Sequence, residues 1–264
     1  MLMEVKQQIR VVILSIKFNI MREMTNRFTF ILNVLFMMLN NATFIIQWVI
    51  LFHLKSDIGG YGMKDVMILW AMTASVYGFS HILFNGAFSL PDLIINGKLD
   101  AYIVQPKSIL ISVITSKTSI SAIGDLIYGY LVFCILEFDL RKILLFTLYV
   151  ITGGLLLTTY SIIFGSISFW IVKGDVILDT FLGMMINFST YPDGIFKGIV
   201  KLILYSIVPV GIIYYIPVKS ILHFEFTYFL IHIILTIISI FLAFIIFNRG
   251  LKKYSSGNLM SARI

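Results

Sequence analysis

Asp125 stands near the middle of an otherwise apolar stretch, within Ser121-Ala-Ile-Gly-Asp-Leu-Ile-Tyr-Gly129. A carboxylate at the centre of a membrane helix costs about 2.5–3.5 kcal/mol on insertion scales, so it has to face protein or water. It suits contact with a transported solute, a protonation site, or a hydrogen bond to a neighbouring helix, with Lys117 two turns earlier reaching the surface. If the span begins later, Asp125 sits nearer the interface instead. Asn40 and Asn41 lie mid-helix in another apolar stretch, where amides bond across helices. With Asp125 they are candidate translocation-pathway residues. The Asn41-Ala-Thr43 sequon falls at membrane depth and is disregarded as a glycosylation site.

An enzyme would need such groups to converge on one cavity. His81, His232 and Asp125 are what the chain offers an intramembrane hydrolase or lipid-modifying protein, and their spacing is unrecognisable. His53, His81, His223 and His232 show no metal-ligand spacing. The sequence has no Gly-x-x-x-x-Gly-Lys-Ser/Thr loop, no His-Glu-x-x-His pair and no Gly-x-Ser-x-Gly elbow. No catalytic residue, metal ligand or nucleotide site is therefore assigned. A secondary transporter would show inverted repeats with paired broken helices, and only one broken region is visible.

The segment 88–107 differs in kind. It is amphipathic, carries Pro91 and Pro106 near its ends, and is too charged to cross a bilayer. Its regularly spaced apolar groups need a surface to pack against, either lipid headgroups or a partner protein.

The elements around these residues are set by composition. Of 264 residues, 59% are hydrophobic and 12% charged; a soluble domain carries about 25% charged residues, so bilayer is the natural solvent. Apolar stretches run near 28–54, 65–86, 109–136, 143–172, 176–192 and 224–248, most of them reaching the roughly 20 residues that span a membrane. In lipid these must be helices. The fold class is all-α polytopic, with six crossings. Residues 4–27 read as an interfacial amphipathic helix with Ile9, Val12, Ile13, Ile16, Ile20 and Met24 on its apolar side. Residues 199–217 could count as a seventh span, but Pro192, Pro209 and Pro217 break the stretch. A seventh crossing would also put the basic tail outside, so the chain reads as a re-entrant pair over 193–222, on the outer face.

Lys6, Arg10, Lys17, Arg22 and Arg27 at one end and Arg249, Lys252, Lys253 and Arg263 at the other hold nine of the twenty basic residues. That bias places both termini, including the tail 250–264, in the cytoplasm. The net charge of +7 fits anionic lipid and gives no reason to invoke nucleic acid. Cys134 is alone, so no intramolecular disulfide forms. No cleavable signal peptide is apparent.

The run Leu90-Pro-Asp-Leu-Ile-Ile-Asn-Gly-Lys-Leu-Asp-Ala-Tyr-Ile-Val-Gln-Pro106 resembles a segment between the second and third spans of one branch of the bacterial ABC-2 type transporter permeases. Phe188-Ser-Thr-Tyr-Pro192 with the proline-broken run after it looks like their outer re-entrant region, and Gly250-Leu-Lys-Lys-Tyr254 like their tail. The likeness covers essentially the whole chain. It implies a six-span exporter subunit in the bacterial plasma membrane, paired with a second permease, identical or different. It also implies two separately encoded ATPase subunits that bind ATP and Mg, with no cofactor on this chain. The loop between spans two and three would be a coupling element docked on the ATPase, carried by Leu90, Pro91, Asp92, Gly97, Lys98, Leu99, Asp100, Tyr102 and Pro106. Leu93, Ile94, Leu99 and Tyr102 would supply apolar contact, Gly97 a tight turn, and Asp92, Lys98 and Asp100 the register. The substrate is not readable.

Overall fold

The computed structural model describes residues 2–255, without the side chains of 2–7 and 9. The place of Ile9 on its helix and the residues 256–264 of the tail, Arg263 among them, lie outside that range. The described residues form twelve α-helices and no β-strand. They are α1 (Leu2–Glu23), α2 (Arg27–Leu54), α3 (Met63–Leu83), α4 (Leu90–Ile95), α5 (Asp100–Ile103) and α6 (Ile109–Ile114), then α7 (Ser121–Leu136), α8 (Leu140–Gly165), α9 (Gly174–Ser189), α10 (Gly198–Leu204), α11 (Ile216–Leu222) and α12 (Phe226–Leu251).

Helix starts follow local chemistry. The Asn26 side chain accepts from Thr29 N–H at 3.1 Å to open α2, and Asp139 accepts from Arg141 N–H at 2.9 Å to open α8. At α3 the Asp65 carboxylate reaches back to Gly62 N–H at 2.9 Å. Four helical stretches, α2, α3, α8 with its 3-10 extension to Phe169, and α12, are each long and apolar enough to cross a membrane. The chain is an all-α polytopic membrane protein.

The stretch 109–136, expected as one span, is two helices. The run Thr115-Ser-Lys-Thr-Ser119 separates α6 from α7, because hydroxyl side chains there compete with the helical ladder. Thr115 and Ser116 bond back to the carbonyls of Ile111 and Val113, and Ser119 N–H donates to His81 O at 3.0 Å. At 16 residues each, α7 and α9 rise about 24 Å, short of the roughly 30 Å hydrocarbon core.

α3 is the hub, enclosed by α2, α7, α8 and α9, and α12 packs on the far side of α8. α3 and α7 approach closely through Gly78, where an added Cβ would lie 2.7 Å from Leu126 N and 2.8 Å from Ala122 O. The connections sort to two ends. At one, Lys64 at the start of α3 pairs with Glu137 of the 137–139 loop at 2.7 Å, and Tyr61 of the 55–62 loop with Asp193 of the 190–197 loop at 2.8 Å. At the other, Lys117 donates to Ser89 Oγ at 3.0 Å, Asn19 of α1 to Thr115 O at 3.3 Å, and Phe169 meets Phe247 at 5.6 Å.

α1 divides the side expected to be apolar, with Ile13 and Met24 of it exposed. Val12, Ile16 and Ile20 are half-buried, whereas Ile13, Leu14, Phe18 and Met21 are exposed beside Arg10, Lys17 and Arg22. The helix bonds to the 108–115 segment at Gln8 and Asn19, and that contact takes the side on which Val12, Ile16 and Ile20 lie.

Candidate functional site

The segment after α3 folds into a compact bracket. A 3-10 turn (Asn85–Ser89) leads into α4, with Pro91 in its first turn where its missing N–H costs nothing. Gly97 takes φ +68°, a left-handed conformation open to glycine, and reverses the chain into α5. Leu99 N–H donates to Leu93 O at 3.1 Å, which locks the reversal. Leu90, Ile94 and Leu99 are fully buried and Leu93 and Pro91 nearly so, packed with Leu110 and Val113 of α6, Ile162 of α8, Phe169, and Ala243 and Phe247 of α12.

This placement corrects one expectation. Leu93, Ile94 and Leu99, expected to supply apolar contact to a partner, are spent on the chain's own helices, and Tyr102 is half-buried against the same cluster. The outward surface is made instead by Asp92, Asn96, Lys98 and Ala101, then by Ile103 (41% exposed), Val104 (83%), Gln105, Pro106 and Lys107. Ile103 and Val104 are the residues the motif reading missed. Their signal was present in the sequence as an apolar pair close to Pro106. Asp100 is half-buried beside Tyr254, which itself stacks edge-on to Phe169 at 6.2 Å and ties the end of α12 to the bracket.

Asp125 and Asn41 come together. Asn41 Nδ2 donates to Asp125 Oδ1 at 2.6 Å and also to Met37 O at 3.1 Å, and both residues are buried between α2 and α7. Asp125 Oδ2 has no hydrogen-bond partner among the described residues. Lys117 bonds to Ser89, not to Asp125. Asn40 points the other way, to the exposed side of α2.

His81, His232 and Asp125 do not converge. His81 is stacked between Tyr77 and Phe88, each ring centroid 3.8 Å away. His232 lies between Thr152 Oγ1 at 2.8 Å and Ile212 O at 3.0 Å. No hydrogen bond joins any two of the three. Among the described residues no group of three or more His, Cys, Asp or Glu is placed to hold a metal ion.

At the opposite end sits a charged knot that sequence reasoning did not assemble. Asp193, 2% exposed, accepts from Tyr61 Oη at 2.8 Å, Tyr205 Oη at 2.9 Å and Lys219 Nζ at 2.6 Å, with Lys201 at 3.5 Å. Burial alone would raise its carboxyl, but the donors from Lys219, Tyr61 and Tyr205 outweigh it and hold the group below the usual carboxylate range. The hint was a carboxylate after Tyr191-Pro192 with Lys201 and Lys219 in an otherwise apolar run. A cavity of about 330 Å3 opens beside the knot, lined by Tyr61, Asp65, Lys219, His223, Glu225 and Tyr228 among others.

The described residues thus form an apolar helical bundle with a folded, charged bracket at one end and the Asp193 knot at the other. A profile of the family described as ABC-2 family transporter protein matches residues 12–257, nearly the whole chain, and the chain belongs to that family. It is thus a multi-pass membrane subunit of an ATP-binding cassette transporter, a family whose members associate with an ATPase partner. Comparison with curated proteins and with solved structures gives no match.

Proposed function

We propose that this chain is the permease of an ATP-driven exporter in the bacterial plasma membrane, and that the bracket 88–107 is where its ATPase docks. The supporting observation is the bracket's two-sidedness. Its inner apolar face is anchored in α6, α8 and α12, while Ile103 and Val104 stand exposed in a charged surround that cannot enter lipid. A tip of this kind transmits force, because displacing it must move the helices into which Leu90, Ile94 and Leu99 are packed.

Two ATPases would bind ATP and Mg, one on each of two permeases, and their closure would rock the bundle between inward- and outward-open states as rigid bodies. The chain would cross six times, with α6–α7 and α9 as the short third and fifth crossings and the termini and bracket cytoplasmic. Asp92 and Lys98 would fix the register of docking by charge. The Asn41–Asp125 pair would hold α2 to α7 along the pathway as the bundle moves.

The test is co-purification of the ATPase with the Val104→Asp protein. Docking through the tip requires that the ATPase be lost while the permease is still inserted at normal levels. Undiminished association, with transport intact, would overturn the docking assignment.

A further inference from the structure

α3 ends at Leu83, and the 3-10 turn that opens the bracket starts two residues later, at Asn85. Phe84 between them leaves the helical conformation, at φ −130° and ψ 29°. A helix that passes through such a break into a 3-10 turn is a natural hinge, so the covalent path alone is soft. His81 bridges the break. Its ring lies between Tyr77 of α3 and Phe88 of the turn, each centroid 3.8 Å away, at interplanar angles of 19° and 18°. His81 Nδ1 lies 3.0 Å from Tyr77 O. A carbonyl can only accept, which puts the ring proton on Nδ1 and fixes the ring plane.

The backbone of His81 is engaged as well. Its carbonyl, one of the last of α3 and so without a partner in the helix, accepts from Ser119 N–H of the α6–α7 link at 3.0 Å. Lys117 of the same link donates to Ser89 Oγ at 3.0 Å. The hub helix, the first turn of the bracket and the α6–α7 link thus meet at one buried residue. α3 is also held at its far end. Tyr61, two residues before it, donates to Asp193 at 2.8 Å, and Lys64 in its first turn pairs with Glu137 at 2.7 Å. It is the most buried of the four long apolar helices, so a displacement delivered at His81 has a rigid route to the loops 55–62 and 190–197.

We propose that His81 is the positioning residue that carries movement of the bracket across the break into α3, and through α3 to the Asp193 knot. The inference rests on the docking reading for the source of that movement and goes beyond it by naming the residue that receives it. Aliphatic side chains at a joint can repack as the joint bends. Two nearly parallel ring contacts around a plane fixed by a hydrogen bond hold one arrangement, so the turn and the helix move together.

The test is hydrogen exchange of the loops 55–62 and 190–197, at the end away from the bracket, in the permease purified with its ATPase. Exchange is compared without nucleotide and with ATP and vanadate, and the wild-type loops are expected to differ between the two states. His81→Ala should retain the ATPase yet shrink that difference by about fivefold or more, the value of two ring contacts. His81→Phe keeps a planar ring and should restore most of it. A purely structural role would instead raise exchange in both states and leave the difference intact. Tyr77→Leu withdraws one of the two rings, should lower the difference by about twofold or more, and carries the test if His81→Ala inserts poorly. A full difference in either variant, no rescue by His81→Phe, or no difference in the wild type would overturn the proposal while the retained ATPase leaves the docking reading standing. Loss of the ATPase from His81→Ala alone would make His81 part of docking and would also overturn it. Loss of the ATPase from the wild-type chain overturns the docking reading, and this inference with it.

Discussion

Asn41 on α2 donates to Asp125 on α7 at 2.6 Å, and the bond ties the least buried of the four long apolar helices to the bundle interior. Alanine at either position should loosen α2. A double-mutant cycle of Asn41→Ala and Asp125→Ala, read by thermal unfolding in detergent, is expected to give a coupling of about 0.6–2 kcal/mol. Asp125→Asn keeps an acceptor facing Asn41 and should remain close to wild type. Strictly additive single effects would show that the pair carries no shared energy.

The Asp193 knot predicts acid sensitivity. Asp193 is held low against its own burial by Lys219, Tyr61 and Tyr205, and Glu137 is held low by hydrogen bonds from Lys64 and Lys142. A carboxyl whose folded value is depressed takes up fewer protons than the unfolded chain. Its stabilisation is present above the unfolded values, about 4, and is lost as pH falls through the folded ones. Unfolding temperature should therefore drop from about pH 4 downward. Asp193→Asn should destabilise the neutral-pH protein by about 1–3 kcal/mol and flatten that acid limb. An unchanged limb in Asp193→Asn would remove Asp193 as its source.

Leu99 and Val104 lie five residues apart on opposite sides of the bracket and should fail differently. Leu99 is fully buried, so Leu99→Ala is expected to cost about 2–5 kcal/mol of stability. Val104→Ala should leave stability within about 0.5 kcal/mol of wild type. Its effect would appear in ATPase affinity, weakened by about fivefold or more if Val104 is an anchor of the contact. Unfolding and ATPase binding measured on both variants separate support from contact.

Periodicity in the sequence identified which residues of 88–107 share a face, and Leu93, Ile94 and Leu99 do share one. It could not say which surface covers that face, because a partner and the chain's own α12 demand the same alternation. The long spans were legible because roughly twenty apolar residues have few other folds. The break at 115–120 was less so, since its hydroxyl residues are tolerated inside membrane helices. Asn41 and Asp125 were each conspicuous alone, yet their pairing joins residues 84 apart in sequence. The Asp193 knot draws on the α2–α3 loop and on α10 and α11, so no local window contained it.

Glycines offer a last separation of packing from propensity. At Gly78 the space that a Cβ would need is occupied by α7 backbone, at 2.7 Å from Leu126 N and 2.8 Å from Ala122 O. Backbone cannot rotate aside as a side chain can, so Gly78→Ala must push α7 away from the hub helix. The expected cost is about 1–3 kcal/mol, as for overpacking elsewhere. Gly183 on α9 is the control, because nothing lies within 4 Å of its added Cβ. There Gly183→Ala gains helix propensity without a clash and should be neutral or stabilising by up to about 1 kcal/mol. Thermal unfolding of the two variants in the same detergent decides the point. Equal behaviour would mean that α3 and α7 can separate at Gly78 without loss, and that their close approach does not hold the bundle together.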